Sequence, residues 1–169
     1  MHKEVRKYCE SVKARFPEHF IGKAVLDCGS LDINGNNRYL FELCKYTGID
    51  IVPGKNVDVV TRVHLFNPDK TYDVIISTEM LEHDAAYRNS LNHMVLLLKP
   101  GGLLLITAAG PRRPEHGTTE HHPGDSPLTH DYYCNVSVEM LVEPLCMLDF
   151  TWWEISYANT DIRFAGIRR

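Results

Sequence analysis

The sequence predicts a three-layer α/β sandwich around a mostly parallel seven-stranded sheet with one antiparallel edge strand. Three observations predict it. Short apolar runs of strand length alternate with segments whose apolar residues recur at helical spacing, the pattern of right-handed crossovers. The run Tyr72-Asp-Val-Ile-Ile-Ser77 is apolar through its middle, as a strand covered on both faces should be. The last two runs have no helical segment between them, so a turn joins them and one edge strand runs against the rest. At 169 residues the chain has the length of one domain, expected to span 1–169, and no internal repeat or composition shift marks a second.

In chain order, Val5, Tyr8, Cys9, Val12 and Phe16 form one stripe of an amphipathic helix that Pro17 closes. Residues 24–28 read as a buried strand running into the Gly29–Gly35 loop. Residues 36–44 are expected to be helical, with Tyr39, Leu40, Leu43 and Cys44 available for packing. Residues 46–51 form the second strand, Pro53-Gly54 the turn after it, and residues 57–60 a short third strand. Residues 72–77 are the fourth. Leu91, Met94, Val95 and Leu98 recur at helical spacing, and Lys99-Pro-Gly-Gly102 ends that helix before a fifth strand over 103–108. Val138, Leu141, Val142 and Leu145 mark another helix with Ser137 as its N-cap. Residues 150–157 and 163–168 close the chain as two strands around an Asn159-Thr-Asp161 turn.

Composition excludes several classes. With 44% hydrophobic and 24% charged residues the chain is globular rather than disordered or low-complexity. Eighteen basic against twenty-two acidic residues leave −4, so no global field attracts nucleic acid or an anionic membrane. The longest apolar runs, 95–98 and 103–106, fall far short of the ~20 residues of a membrane span. The first seven residues carry both signs of charge and lead into no apolar region, so no signal peptide is expected. Five cysteines (9, 28, 44, 134, 146) are an odd number without a C-x-x-C pair, the usage of reduced thiols in a cytoplasmic protein.

In sheets of this kind ligands bind beyond the carboxyl ends of the strands. Gly29, straight after the first strand, lets the backbone turn sharply and approach a ligand, with Asp27 pointing into the loop. The plain alternative is an ordinary strand–loop–helix turn. Positions 31 and 33 are Leu and Ile, so a nicotinamide fingerprint is disfavoured. Asp50 ends the second strand about twenty residues beyond Gly29, where a carboxylate can accept from both ribose hydroxyls of an adenosine-bearing cofactor. Alone, Asp50 reads equally as a cap or turn residue; with the first loop it points to an adenosine ligand.

Four segments carry a resemblance. Val25-Leu-Asp-Cys-Gly, Gly48-Ile-Asp50, Tyr72-Asp-Val-Ile-Ile-Ser-Thr-Glu-Met-Leu-Glu-His83 and Leu98-Lys-Pro-Gly-Gly-Leu-Leu-Leu-Ile106 resemble, in order, motifs of the class I S-adenosylmethionine-dependent methyltransferases, type 11-like in kind. The resemblance covers residues 24–108 and implies a Rossmann-like fold, S-adenosyl-L-methionine as cofactor and S-adenosyl-L-homocysteine as product. It implies that Asp27, Gly29 and Ser30 line the methionine end, that Asp50 holds the ribose with Ile51 against the adenine, and that His64 lies near the adenine edge. Thr78, Glu79 and Met80 form the floor under the sulfonium. The first loop departs from the family pattern, reading Gly29-Ser-Leu-Asp-Ile-Asn-Gly35, and Asn34 or Arg38 is expected to take over a methionine-carboxylate contact.

Residues 110–133 are the least patterned part of the chain and follow the fifth strand, so they should overhang the site of methyl transfer as a substrate loop. A hydroxyl nucleophile must lose its proton, a task suited to a histidine. His130, beside Asp131 in a stretch resembling the Asp-Tyr-aromatic entry to the next helix in relatives, is the first candidate base, and His83 the second. The plain alternative is a solvated lid. His116, His121 and His122 match no ligand spacing, so no metal site is predicted. Arg112-Arg113 could meet an acidic substrate group or solvent, and one ring of Trp152-Trp153 should pack in the core.

The leading function is methylation, on oxygen, of a small-molecule or saccharide acceptor, with no membrane partner. Methylation of nucleic acid or protein is the alternative enzyme; steeply salt-dependent binding to RNA or DNA would favour it, against the negative charge. A non-catalytic S-adenosylmethionine-binding module is the third reading, favoured if Asp50 matters while His130 and His83 do not. The motifs leave acceptor identity and oligomeric state open.

Overall fold

The computed structural model describes residues 2–129 and 131–169. The elements run α1 (Lys3–Arg15), β1 (Ala24–Cys28), β2 (Lys45–Asp50), β3 (Val59–Val60), β4 (Tyr72–Thr78), α2 (Tyr87–Leu97), β5 (Leu98–Ala109), α3 (Val138–Val142), β6 (Phe150–Ala158) and β7 (Asp161–Arg168), with short 3-10 turns between them. They form one seven-stranded sheet in the order β3-β2-β1-β4-β5-β7-β6. The first five strands pair in parallel. β7 is the reversed strand, antiparallel to β5 on one side and to β6 on the other, so the antiparallel end of the sheet lies where the sequence puts it.

Each strand feeds two cores because successive side chains point to opposite faces. Val25, Val74 and Ile76 meet Val5, Cys9 and Val12 of α1 on one face. Leu26, Ile75, Leu104 and Ile106 meet Leu91 and Met94 of α2 and Leu141 of α3 on the other. The stripe predicted for α1 is the buried one, and Pro17 opens a separate 3-10 turn. Ser137 caps α3, its hydroxyl accepting from the Met140 amide. Trp152 packs on Phe16 at 4.7 Å between ring centroids, whereas Trp153 is exposed.

Two expectations fail. Residues 36–44 are not a helix: among them only Arg38–Leu40 forms a 3-10 turn. The Asp32 carboxylate takes the Gly35 amide at 2.8 Å and Asn36 Nδ2 at 2.8 Å, which fixes a local turn, and Leu43 adopts φ 54. Side-chain bonding of this kind competes with helix propagation. The helix does end before Lys99-Pro-Gly-Gly102, at Leu97, but the fifth strand expected over 103–108 begins earlier: α2 passes directly into β5 at Leu98, with an irregular register against Tyr72–Val74. No helix among the described residues is long and apolar enough to cross a membrane.

Candidate active site

The carboxyl ends of β1, β2 and β4 converge on a cavity of about 380 Å³. β1 contributes Asp27, Gly29 and Ser30; β2 contributes Ile49, Asp50 and Ile51; β4 contributes Thr78, Glu79 and Met80. Thr61–Val63 after β3, Asn34–Asn37, His83 and the long loop after β5 complete the wall.

The first loop is shaped by Gly29. Its φ of +81 turns the chain so that the Gly29 and Ser30 amides both donate to the Ile49 carbonyl, at 2.9 and 3.0 Å. A Cβ on Gly29 would sit 2.6 Å from Met80 Cβ and Cγ, so only glycine lets this loop close on the end of β4. Asp50 ties the same loop to the end of β2, accepting from the Leu31 amide at 3.1 Å and the Val52 amide at 3.0 Å. A carboxylate offers about four lone-pair directions, so two remain for a ligand.

Asp27 is 1% exposed and accepts from the Tyr46 hydroxyl at 2.5 Å and from Asn37 Nδ2 at 3.1 Å. Burial pushes its carboxyl up to about 6, against the opposing pull of those two hydrogen bonds. Asn37 Nδ2 also donates to Thr78 Oγ1 at 3.1 Å, linking β1 to β4, while its buried Oδ1 has no protein partner among the described residues.

At the rim, Glu79 (φ 57) accepts from Thr107 Oγ1 and faces His2 at 3.2 Å and Arg113 at 3.4 Å. Arg113 also donates to the buried Asp161 at 2.6 Å. Hydrogen bonds to Asp161 and Glu79 raise His2 to about 9, so it is charged at neutral pH. This network joins the segment before α1 to the ends of β4, β5 and β7.

Glu82 and His83, on the turn after β4, stand beside His116 of the loop after β5, and both histidines line the cavity. Glu82 is fully buried, which holds its carboxyl well above the usual range. His83 is 9% exposed, and burial drives it down to about 4, leaving a neutral ring. The His83, His116 and Tyr133 rings contact one another with centroids 5.0–5.6 Å apart.

Of the residues singled out from the sequence, Asp27, Gly29, Ser30, Asn34, Asp50, Ile51, Thr78, Glu79, Met80 and His83 line this cavity. Arg38 does not: its guanidinium lies over Tyr46 and is engaged by Asn56 and Asp58. His64 is also outside the wall, in the turn Val63–Leu65, where Val63 takes the cavity-facing place. His130 lies outside the described residues. Asn37, Arg62 and Asp84 line the cavity without having been assigned to it beforehand, and Arg113 and His116 reach it from the loop expected to overhang the site.

A family model described as a methyltransferase domain matches residues 1–135. No curated protein matches the chain by sequence. Among solved structures it is similar to the 1,6-didemethyltoxoflavin-N1-methyltransferase of Burkholderia thailandensis, solved with S-adenosylhomocysteine, at TM-score 0.69 and 16% identity, covering 97% of this chain and 77% of that one. It is also similar to the N-methyltransferase NodS of Bradyrhizobium japonicum, at TM-score 0.65 and 14% identity over 96% and 86% of the two chains. A third, phosphoethanolamine N-methyltransferase 2 of Haemonchus contortus with S-adenosylmethionine, gives TM-score 0.66 and 15% identity over 96% of this chain and 52% of that one. With the matched model spanning most of its length, the chain belongs to the methyltransferase domain family.

Proposed function

We propose that this protein is an S-adenosylmethionine-dependent methyltransferase acting on an oxygen of a small-molecule or saccharide acceptor. The observation that carries the reading is Asp50: a carboxylate at the carboxyl end of β2, fixed by two backbone amides and still offering lone pairs to a cavity of nucleoside size. The bound cofactor supplies an electrophilic methyl group on a sulfonium. In this reading Asp50 accepts from the ribose hydroxyls, and Ile51 and Val63 provide apolar surface for the adenine. Asn37 Oδ1, buried without a partner among the described residues, accepts from the ammonium of the methionine moiety. Asn34 lies in the same wall and takes the carboxylate contact expected of Asn34 or Arg38. Structures of named methyltransferases with S-adenosylhomocysteine or S-adenosylmethionine share the fold.

The acceptor belongs beside His83 and His116, which face the cavity. His83, neutral and too weak a base to take a proton fully near pH 7, orients its hydroxyl. His130 remains the other proposed base. The loop 110–133 serves as the substrate loop of a single domain, 1–169, working in the cytoplasm, where its five unpaired cysteines stay reduced. Aligning the two reactants and excluding water account for much of the rate in such a displacement.

Calorimetric titration with S-adenosylmethionine and S-adenosylhomocysteine tests the reading. Binding that Asp50→Ala abolishes, followed by turnover on a hydroxylated metabolite or saccharide pool, supports it. Failure of the wild-type protein to bind either ligand overturns it.

A further inference from the structure

Glu82 and His83 come from the turn after β4 and His116 from the loop after β5, 33 residues further on (116 − 83), yet one donor atom of each lies within 4.8 Å of the others. Glu82 is 0% exposed; its Oε1 accepts from the Ala109 amide at 3.1 Å and its buried Oε2 has no partner among the described residues. The buried Nδ1 of His83 likewise has no partner among the described residues. His116 Nδ1 donates to the Pro114 carbonyl at 3.1 Å, which leaves the Nε2 lone pair free. Backbone carbonyls fix metal-ligating imidazoles in this way. Gly117 permits the approach: at φ +70, a Cβ there would lie 2.7 Å from His83 Cε1 and 2.6 Å from Ser126 Cβ.

Two orphaned buried acceptors and one oriented imidazole are a ligand set in search of a cation. We propose that Glu82, His83 and His116 bind one divalent first-row transition-metal ion, zinc being the best match to two imidazoles and a carboxylate. His83 and His116 line the cavity, so the remaining coordination positions open onto it. An oxygen of the acceptor completes the shell there, so that His83 orients the acceptor through the ion rather than by a direct hydrogen bond; this role, unlike the binding itself, rests on the methyltransferase reading. A cation at this point also neutralises the carboxyl that Glu82 buries and polarises a coordinated hydroxyl.

The test strips the full chain with chelator and titrates Zn²⁺, Mn²⁺ and Mg²⁺ by equilibrium dialysis, with Co²⁺ absorption as a probe of coordination. One ion per chain is expected, with Zn²⁺ tighter than Mg²⁺ and affinity lowered at least tenfold in Glu82→Gln and in His116→Ala. His121→Ala should bind like wild type. His116→Ala keeps S-adenosylhomocysteine binding, whereas Asp50→Ala loses it and keeps the metal, so the two readings fail separately. No stoichiometric ion, undiminished binding in His116→Ala, or an equal loss in His121→Ala overturns the site.

Discussion

Replacing Gly29 by alanine separates two costs that the first loop imposes. The backbone there has φ +81, a region that costs an L-residue about 1–2 kcal/mol. The new methyl group would also stand 2.6 Å from Met80 Cβ and Cγ. Relieving such an overlap displaces the loop or the end of β4, at about 1–3 kcal/mol. Gly29→Ala should therefore destabilise the protein by about 2–5 kcal/mol. Gly35 has φ +106 but nothing within 4 Å of its would-be Cβ, so Gly35→Ala carries only the first cost. In a Met80→Gly background the steric part disappears, and a double-mutant cycle should return about 1–3 kcal/mol of coupling. Urea denaturation followed by fluorescence of Trp152 and Trp153 gives each corner of the cycle. A coupling below about 0.5 kcal/mol, within ordinary additivity error, would refute the close packing of Gly29 on Met80.

Three further outcomes follow from the site. The Asp27 carboxyl, at about 6 against an ordinary 3.8, favours its protonated form in the fold; the stability this provides is present below about pH 4 and is lost as pH rises through 6. The difference of roughly two pH units corresponds to about 3 kcal/mol, so the stability difference between wild type and Asp27→Asn should change by that order between pH 4 and 7, and a flat difference curve counts against it. Arg113→Ala removes the donor at 2.6 Å from the buried Asp161 and should lower stability by about 2–3 kcal/mol in the same denaturation assay; a loss under about 0.5 would mean His2 and Arg163 suffice. S-adenosylhomocysteine at a hundred times its dissociation constant should stabilise wild type by about 2.7 kcal/mol in thermal melts and leave Asp50→Ala unmoved.

The strands were legible because each is a short apolar run that must be covered on both faces, and Asp50 because a carboxylate ending such a run is out of place in a core. The segment 36–44 misled because Tyr39, Leu40, Leu43 and Cys44 have helical spacing, while the Asp32 side chain, which holds the turn, lies before the window. Arg38 misled for a related reason: its partners Asn56 and Asp58 come from beyond the next strand. His116 could not be joined to Glu82 and His83 from spacing, since that meeting depends on how a long loop folds back and on Gly117 having no side chain. Local pattern reveals strands and caps; a cluster assembled across a crossover needs the third dimension.

The placement of β7 between β5 and β6 bears on how the chain is made. β5 can pair with β4 as soon as both exist, but its other edge waits for Asp161–Arg168, 52 residues after Ala109 (161 − 109). At synthesis rates of roughly 5–20 residues per second, a buried strand carrying Leu103, Leu104, Leu105 and Ile106 keeps an unpaired edge for roughly 3–10 seconds. An open apolar edge is a template for another chain. Docking of the β6–β7 hairpin is the event that ends that exposure.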